Sequence, residues 1–303
     1  MPNDENANFR LKRLAIVGVG LIGGSIGLAA RARNLAETVV GIGRDQEKLR
    51  EAKRLGAIDE GYVDWREAIA GSDVAVVCSP VSIIAADVIR LAAFGVDNLL
   101  ITDAGSTKTT IVARVEADPR AGRVFVGAHP IAGSERQGAA YARADLFQGR
   151  VCALTPTENT PRDRLKRARS FWESLGCRVI ERSPDAHDEA LAWSSHLPHV
   201  VASALAGSVP IDALELAAGA YRDGSRVAMA DAGLWSAILL DNRTRLLDAI
   251  DGFDRRLADL RAAIDQNDGD RLRRLWELAR DRGLRFAFDP ESHPKDDSEP
   301  ASP

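Results

Sequence analysis

Only three cysteines, Cys78, Cys152 and Cys177, occur in the 303 residues. They are widely spaced and form no C-x-x-C pair. That argues against a disulfide framework and a cysteine-rich zinc site, and it points to a reduced, cytoplasmic setting with the thiols packed as small apolar groups. No apolar run is long enough to span a bilayer, and the polar, acidic start Met-Pro-Asn-Asp-Glu-Asn is unlike a secretory signal. Positive charge is not in excess. A net charge of −4 leaves no basic footprint, so neither nucleic acid nor membrane is expected as a partner. There is no internal repeat. What is present is the composition of a soluble globular chain, long enough for two domains with ample core.

The most informative stretch is residues 14–30. Leu14, Ala15, Ile16 and Val17 form a short apolar run that reads as a buried strand; Gly18, Gly20 and Gly23 then supply G-x-G-x-x-G, and Ile22, Ile26 and Ala29 follow at helical spacing. In this strand–turn–helix context each glycine has a mechanical task. Gly18 allows the tight turn, Gly20 lets the backbone approach a pyrophosphate, and Gly23 lets the helix close on the strand. The N–H groups at the helix start, around Leu21 and Ile22, would face the phosphates with the positive end of the helix dipole. A second strand, residues 38–42, is expected to end in an acid that binds the ribose 2′-hydroxyl. Gly43 and Arg44 stand there instead, with Asp45 just beyond. A missing acid and a present arginine favour NADP over NAD; the alternative is that Asp45 does the acid's work.

Further strands are expected at 73–78, 98–103, 124–128, 150–156 and 177–181. Helices lie between them, including 161–175, which has proline in its first turn and Gly176 after its end. Ser79 and Pro80 break the strand at 73–78 at the carboxyl edge, where such sheets bind ligands. The loop Ala104-Gly105-Ser106-Thr107-Lys108 either projects hydroxyls and an ammonium into a site or uses Ser106 or Thr107 to cap the next helix. His129 closes the strand at 124–128 and is followed by Pro130. The expected fold is α/β: a doubly wound, mostly parallel Rossmann-type sheet over residues 1–182. An all-helical domain over 183–289 follows, with helices at 186–208, 210–220, 231–264 and 268–283. A polar, glycine-broken piece at 221–226 interrupts them, and a disordered tail occupies 290–303. The long 231–264 helix carries an apolar stripe that predicts burial against a second copy, hence a homodimer.

Three of the five histidines, His187, His196 and His199, fall close together, and Pro198 should kink their helix. A metal site is one reading of the pair His196 and His199, but the spacing lacks His-Glu-x-x-His and no cysteine completes the set, so no metal is assigned. Packing with capping, and the binding of an anionic substrate, are the other readings.

Five motifs in order carry a resemblance: Gly18-Val-Gly-Leu-Ile-Gly-Gly-Ser, Asp103-Ala-Gly-Ser-Thr-Lys, His129-Pro-Ile-Ala-Gly-Ser-Glu, Ser195-His-Leu-Pro-His and Arg222-Asp-Gly-Ser-Arg. Over about residues 12–260 the chain resembles the prephenate/arogenate dehydrogenases of tyrosine biosynthesis. The resemblance implies oxidative decarboxylation of prephenate, or of arogenate, with hydride passed to NADP or NAD. By position, His129 matches the catalytic histidine, and Ser106 the serine that orients it and the ring hydroxyl. His199 and Arg226 match residues that hold the substrate's carboxylates and side chain, and His196, Asp223 and Glu135 match positions that shape or gate the site. Where the family commonly has Asp-Phe-Thr-Arg or Asp-Thr-Thr-Arg, this chain has Asp223-Gly-Ser-Arg226. His199 favours prephenate over arogenate. The related hydroxyacid dehydrogenases rely on a lysine in the helical domain, and this one has none before Lys295.

Overall fold

Strand β1 (Leu11–Val17) sits in the middle of a parallel sheet because its second half, residues 14–17, is apolar on both faces. The computed structural model describes residues 9–287 apart from 97, 134 and 135. In it β1 is flanked by β2 (Ala36–Ile42), β3 (Glu60–Tyr62), β4 (Val74–Val77), β5 (Leu100–Asp103) and β6 (Phe125–Val126), in the order β3-β2-β1-β4-β5-β6. Every pairing is parallel. Alternate residues of one strand go to opposite faces. Thus Leu14, Ile16, Val74 and Val76 pack on one side with α1 (Leu21–Ala32) and α7 (Arg162–Ser174). Ala15, Val17, Ala75 and Val77 pack on the other with α3 (Trp65–Ile69), α4 (Val81–Ala92) and α5 (Thr109–Glu116). Helices on both faces leave the strands no polar side, which is why they read as continuous apolar runs. The strand order reverses between β1 and β4, so the crevice at their carboxyl ends is the ligand position of such a sheet.

The doubly wound fold expected from the sequence is present, with differences in detail. The strands do not form one sheet through residue 182. The chain breaks at Gly127, where an added Cβ would lie 2.5 Å from Thr155 Oγ1 and 3.0 Å from Val112 Cγ2. It then enters a second sheet of β7 (Ala128–Pro130), β8 (Val151–Leu154) and β9 (Arg178–Glu181), in which β7 runs antiparallel to β8. His129 therefore belongs to the second sheet, beyond the edge of the first. The edge strand β3 was not anticipated; it is three residues long and its glycine hides the pattern.

The helical region also departs from expectation. The 186–208 helix is α8 (Pro184–Leu191), one π-helical turn (Ala192–His196) and α9 (Leu197–Ser208). Pro198 can donate no N–H to the preceding turn, and the wider turn absorbs the mismatch. The expected 210–220 helix is a 3₁₀ turn, Ile211–Leu216. The piece read as a glycine-broken loop is helical, α9 being followed by α10 (Gly219–Ser225) and a 3₁₀ turn, Arg226–Met229. The 231–264 helix is two helices, α11 (Ala232–Asp241) and α12 (Arg243–Asp265), separated at Asn242.

The chain divides after Arg243 into two compact units. The second contains nearly all of α12 and α13 (Gly269–Ala287), linked by an ion pair of Arg271 with Asp259 at 3.1 Å. The expected tail lies outside the described residues. Among the described residues no helix is long and apolar enough to cross a membrane.

Candidate active site

At the β1–β4 crevice, the glycines behave as three different devices. Gly18 has φ +83, and a Cβ on it would lie 3.0 Å from the Cys78 carbonyl oxygen, so the turn rests against the end of β4. A Cβ on Gly23 would sit 2.2 Å from the Gly18 oxygen, which is too close for any side chain. A Cβ on Gly20 meets nothing of the protein within 4 Å. Gly20 is the N-cap of α1, no side chain caps it, and no acid occupies the first turn. The start of α1 is thus open beside Gly20 and carries neither a side-chain cap nor an acid against the positive end of the helix dipole, features that fit a dinucleotide pyrophosphate. Beside it, Ser79 Oγ donates to Asp87 at 2.6 Å and Pro80 starts α4. Burial raises the Asp87 carboxyl above its usual range. At the end of β2 Arg44 is exposed, and Asp45 Oδ1 caps α2 (Gln46–Arg54) by accepting from Glu47 N at 2.9 Å and Lys48 N at 3.3 Å.

The loop after β5 does something other than expected. Lys108 does not project into a site. It is fully buried, its ammonium pairs with the buried Asp103 carboxylate, and it donates to the Ala128 carbonyl at 2.9 Å. Asp103 Oδ1 accepts from Ala128 N at 2.9 Å. This clamp grips both peptide groups of the residue before His129, and its hydrogen bonds satisfy charges that burial would otherwise penalise. Ser106 and Thr107 do not cap α5. The cap comes from Asp188, some 80 residues on, whose Oδ1 accepts from Lys108 N and Oδ2 from Thr109 N, both at 2.8 Å. Thr107 Oγ1 instead donates to Asp241 at 2.6 Å, and Ser106 is half-buried in the same loop.

His129 is partly buried, and its Nδ1 lies 2.9 Å from His187 Nε2, with the rings edge to face. His187 Nδ1 is 2.8 Å from Asp188 Oδ1, and both residues are buried. Burial, then the neighbouring His187, Lys108 and His196, holds the His129 imidazole well below its usual pKa, so it is neutral at physiological pH. Burial alone would raise Asp188, but hydrogen bonds from His187 and Thr109 outweigh it and draw the carboxyl down.

Asn242, at the break between α11 and α12, gives its amide to the Asp188 carbonyl at 2.7 Å and meets His196 Nδ1 at 3.1 Å. Burial, opposed by Asp188, pulls His196 down to about 4. His199 Nδ1 donates to the Ser195 carbonyl at 2.9 Å, and its ring stacks on Trp235. His199 is lowered by burial and also by the charge of Arg226, which places that arginine within its electrostatic reach. Arg226 is exposed at the start of its 3₁₀ turn, and Asp223 is exposed and pairs with Arg222 at 3.5 Å. Glu135 lies outside the described residues. His129 and His196 thus join one hydrogen-bonded network, with His199 and Arg226 close by. His187 and Asp188, to which the sequence assigned no role, form the centre of that network. Their one sequence signal is a His-Asp pair in the first helical turns after the last strand. Trp235, read only as part of an apolar stripe, stacks on a candidate substrate ligand.

Comparison with known proteins agrees with this layout. The family model described as "Prephenate dehydrogenase, nucleotide-binding domain" matches residues 26–181, and "Prephenate dehydrogenase, dimerization domain" matches 183–278. The chain is 31% identical to a prephenate dehydrogenase of Bacillus subtilis over 88% of its length and 74% of the relative's. It is 34% identical to a cyclohexadienyl dehydrogenase of Zymomonas mobilis over 86% of its length and 91% of the relative's. The solved structure of prephenate dehydrogenase from A. aeolicus, in complex with hydroxyphenyl propionate and NAD+, superposes with a TM-score of 0.85 at 31% identity, covering 90% of this chain and 98% of the other. The chain belongs to the prephenate dehydrogenase family and is an NAD(P)-dependent dehydrogenase.

Proposed function

We propose that this enzyme converts prephenate to 4-hydroxyphenylpyruvate and carbon dioxide, with hydride passed to NADP in preference to NAD, as a step in tyrosine biosynthesis. The observation that carries the reading is the neutral, partly buried His129, clamped through Ala128 and bonded at Nδ1, which leaves Nε2 for a substrate hydroxyl. Gly18, Gly20 and the first turn of α1 would hold a nicotinamide dinucleotide at the β1–β4 crevice, where it would supply the acceptor for the hydride leaving the ring carbon that bears the hydroxyl. His129 accepts the hydroxyl proton at Nε2 as that carbon becomes carbonyl-like. Loss of the ring carboxylate as carbon dioxide then leaves its electron pair in the ring, and the proton returns to the phenolate oxygen. A weak base suffices, because the hydroxyl becomes strongly acidic as hydride departs; base catalysis of this kind contributes about 10²–10⁴-fold. Ser106 orients the hydroxyl. Arg226 and His199 hold the carboxylates and side chain, a task suited to a guanidinium's paired donors, and His196, Asp223 and Glu135 shape or gate the site.

The NADP preference rests on Arg44, exposed where the 2′-substituent of the ribose would lie, and on Asp45 being engaged in capping α2. A homodimer is supported by large apolar side chains left exposed in each unit. Ile211, Leu216 and Met229 stand out in the first, and Ile264, Trp276 and Phe286 in the second. Three unpaired cysteines support a reducing cytoplasm. The deciding experiment follows reduced-cofactor absorbance with prephenate and arogenate crossed against NADP and NAD. Turnover is expected to be fastest with prephenate and NADP. Preference for arogenate would move the enzyme to the alternative within the family, and no turnover with either substrate would overturn the proposal.

A further inference from the structure

We propose that Asp188 and His187 are positioning residues that fix the tautomer of His129, holding its proton on Nδ1 so that Nε2 is bare toward the substrate. This inference rests on the reading of His129 as the base.

One group in the chain of bonds can act only as an acceptor. The Asp188 carboxylate receives two backbone N–H groups, Lys108 N on Oδ1 and Thr109 N on Oδ2, at the start of α5. That helix end also favours negative charge. Its low pKa keeps it ionised, and an ionised carboxylate can only accept. His187 Nδ1, 2.8 Å from Oδ1, must therefore carry a hydrogen. A neutral ring protonated at Nδ1 presents a lone pair at Nε2. That lone pair lies 2.9 Å from His129 Nδ1, so His129 donates and its own Nδ1 bears the hydrogen. A third element locks the arrangement, because the buried Asn242 amide holds the Asp188 backbone carbonyl at 2.7 Å. The direction of two successive bonds is thus set by one carboxylate, and it ends in the protonation state that a base requires. When His129 takes the substrate proton at Nε2, the resulting imidazolium still donates through Nδ1 toward a buried carboxylate, which compensates the charge. The proton need not travel along the chain, and Asp188 stays ionised throughout.

The test is ¹⁵N NMR of ring-labelled histidine in the full-length enzyme saturated with NADP+, with the signals assigned by single His→Gln substitutions. Both His129 and His187 are expected in the Nδ1–H form at neutral pH. Either ring in the Nε2–H form overturns the proposal without recourse to a variant's activity. The kinetic arm compares two replacements of His187. His187→Leu removes the acceptor, freeing His129 to place its proton on either nitrogen, and should lower kcat by roughly 10²–10³-fold with little change in substrate KM. In His187→Gln the side-chain oxygen can accept from His129 Nδ1 and the amide can donate to Asp188. It should keep the tautomer and recover most of the lost kcat. A folded His187→Leu enzyme with kcat within twofold of wild type, or a folded His187→Gln enzyme no better than His187→Leu, would contradict the mechanism. If the leucine variant does not fold, the wild-type spectrum and the glutamine variant decide. Should neither prephenate nor arogenate be turned over, the proposed reaction fails, while the tautomer assignment still stands or falls on the spectra alone.

Discussion

Replacing Gly20 by alanine separates what the glycine turn does for the fold from what it does for the cofactor. Gly20 has φ −95 and ψ −147, a negative φ that carries no left-handed penalty for alanine, and its new methyl group would meet no protein atom within 4 Å. Folding stability should therefore change by less than about 1 kcal/mol, with a small gain as possible as a loss. The methyl would occupy space a pyrophosphate needs against the α1 N–H groups. Overfilling a close-packed contact costs about 1–3 kcal/mol, so the dissociation constant for NADP should rise about 5- to 150-fold. Gly23→Ala is the contrasting change. Its methyl would be driven to 2.2 Å from the Gly18 oxygen and 2.9 Å from Ile16 Cγ2, so the turn itself must shift and stability should fall. Thermal unfolding and fluorescence titration with NADP read both effects. Cofactor affinity within twofold of wild type in Gly20→Ala, or a loss of Tm matching that of Gly23→Ala, would refute the reasoning.

Other consequences follow from the same geometry. Arg226→Ala should raise KM for prephenate by about 10- to 150-fold, the worth of a charged hydrogen bond, with modest harm to kcat; an unchanged KM removes Arg226 from the site. Arg44→Ala should lower the NADP-to-NAD ratio of kcat/KM by about tenfold or more, and a ratio that does not move assigns the preference elsewhere. His196 supplies a pH dependence of stability. Its folded pKa of about 4 lies below the unfolded value of 6.5, so its contribution is intact above pH 6.5 and is lost as pH falls toward 4, by about 3 kcal/mol in all. Urea unfolding between pH 7.5 and 4.5 should show a shallower slope in His196→Gln than in wild type; equal slopes contradict the assignment.

The parts of this molecule that were readable from sequence are those governed by local pattern. Residues 14–23 announce strand, turn and helix because burial on both faces and the need for close approach leave only apolar side chains and glycine acceptable. The histidine-bearing motifs were legible by resemblance. What was hidden depends on partners far apart in the chain. Nothing near Lys108 indicates that its ammonium is buried against Asp103, nor that its helix is capped by Asp188. Gly127 gives no local sign that the chain changes sheets there; the reason is the approach of Thr155 and Val112. Asn242 reads as one polar residue in a long helical pattern, yet the helix breaks at it and its amide reaches Asp188 and His196. Gly224 suggested a broken piece in a segment that is helical from Gly219 to Ser225.

The central claim is that the imidazole of His129 takes the hydroxyl proton as hydride leaves. Its most direct test is the kcat of His129→Asn with prephenate and NADP, measured together with the dissociation constant of NADP. The account predicts a kcat lower by about 10²–10⁴-fold with cofactor affinity unchanged; a variant that turns over prephenate at the wild-type rate would contradict it.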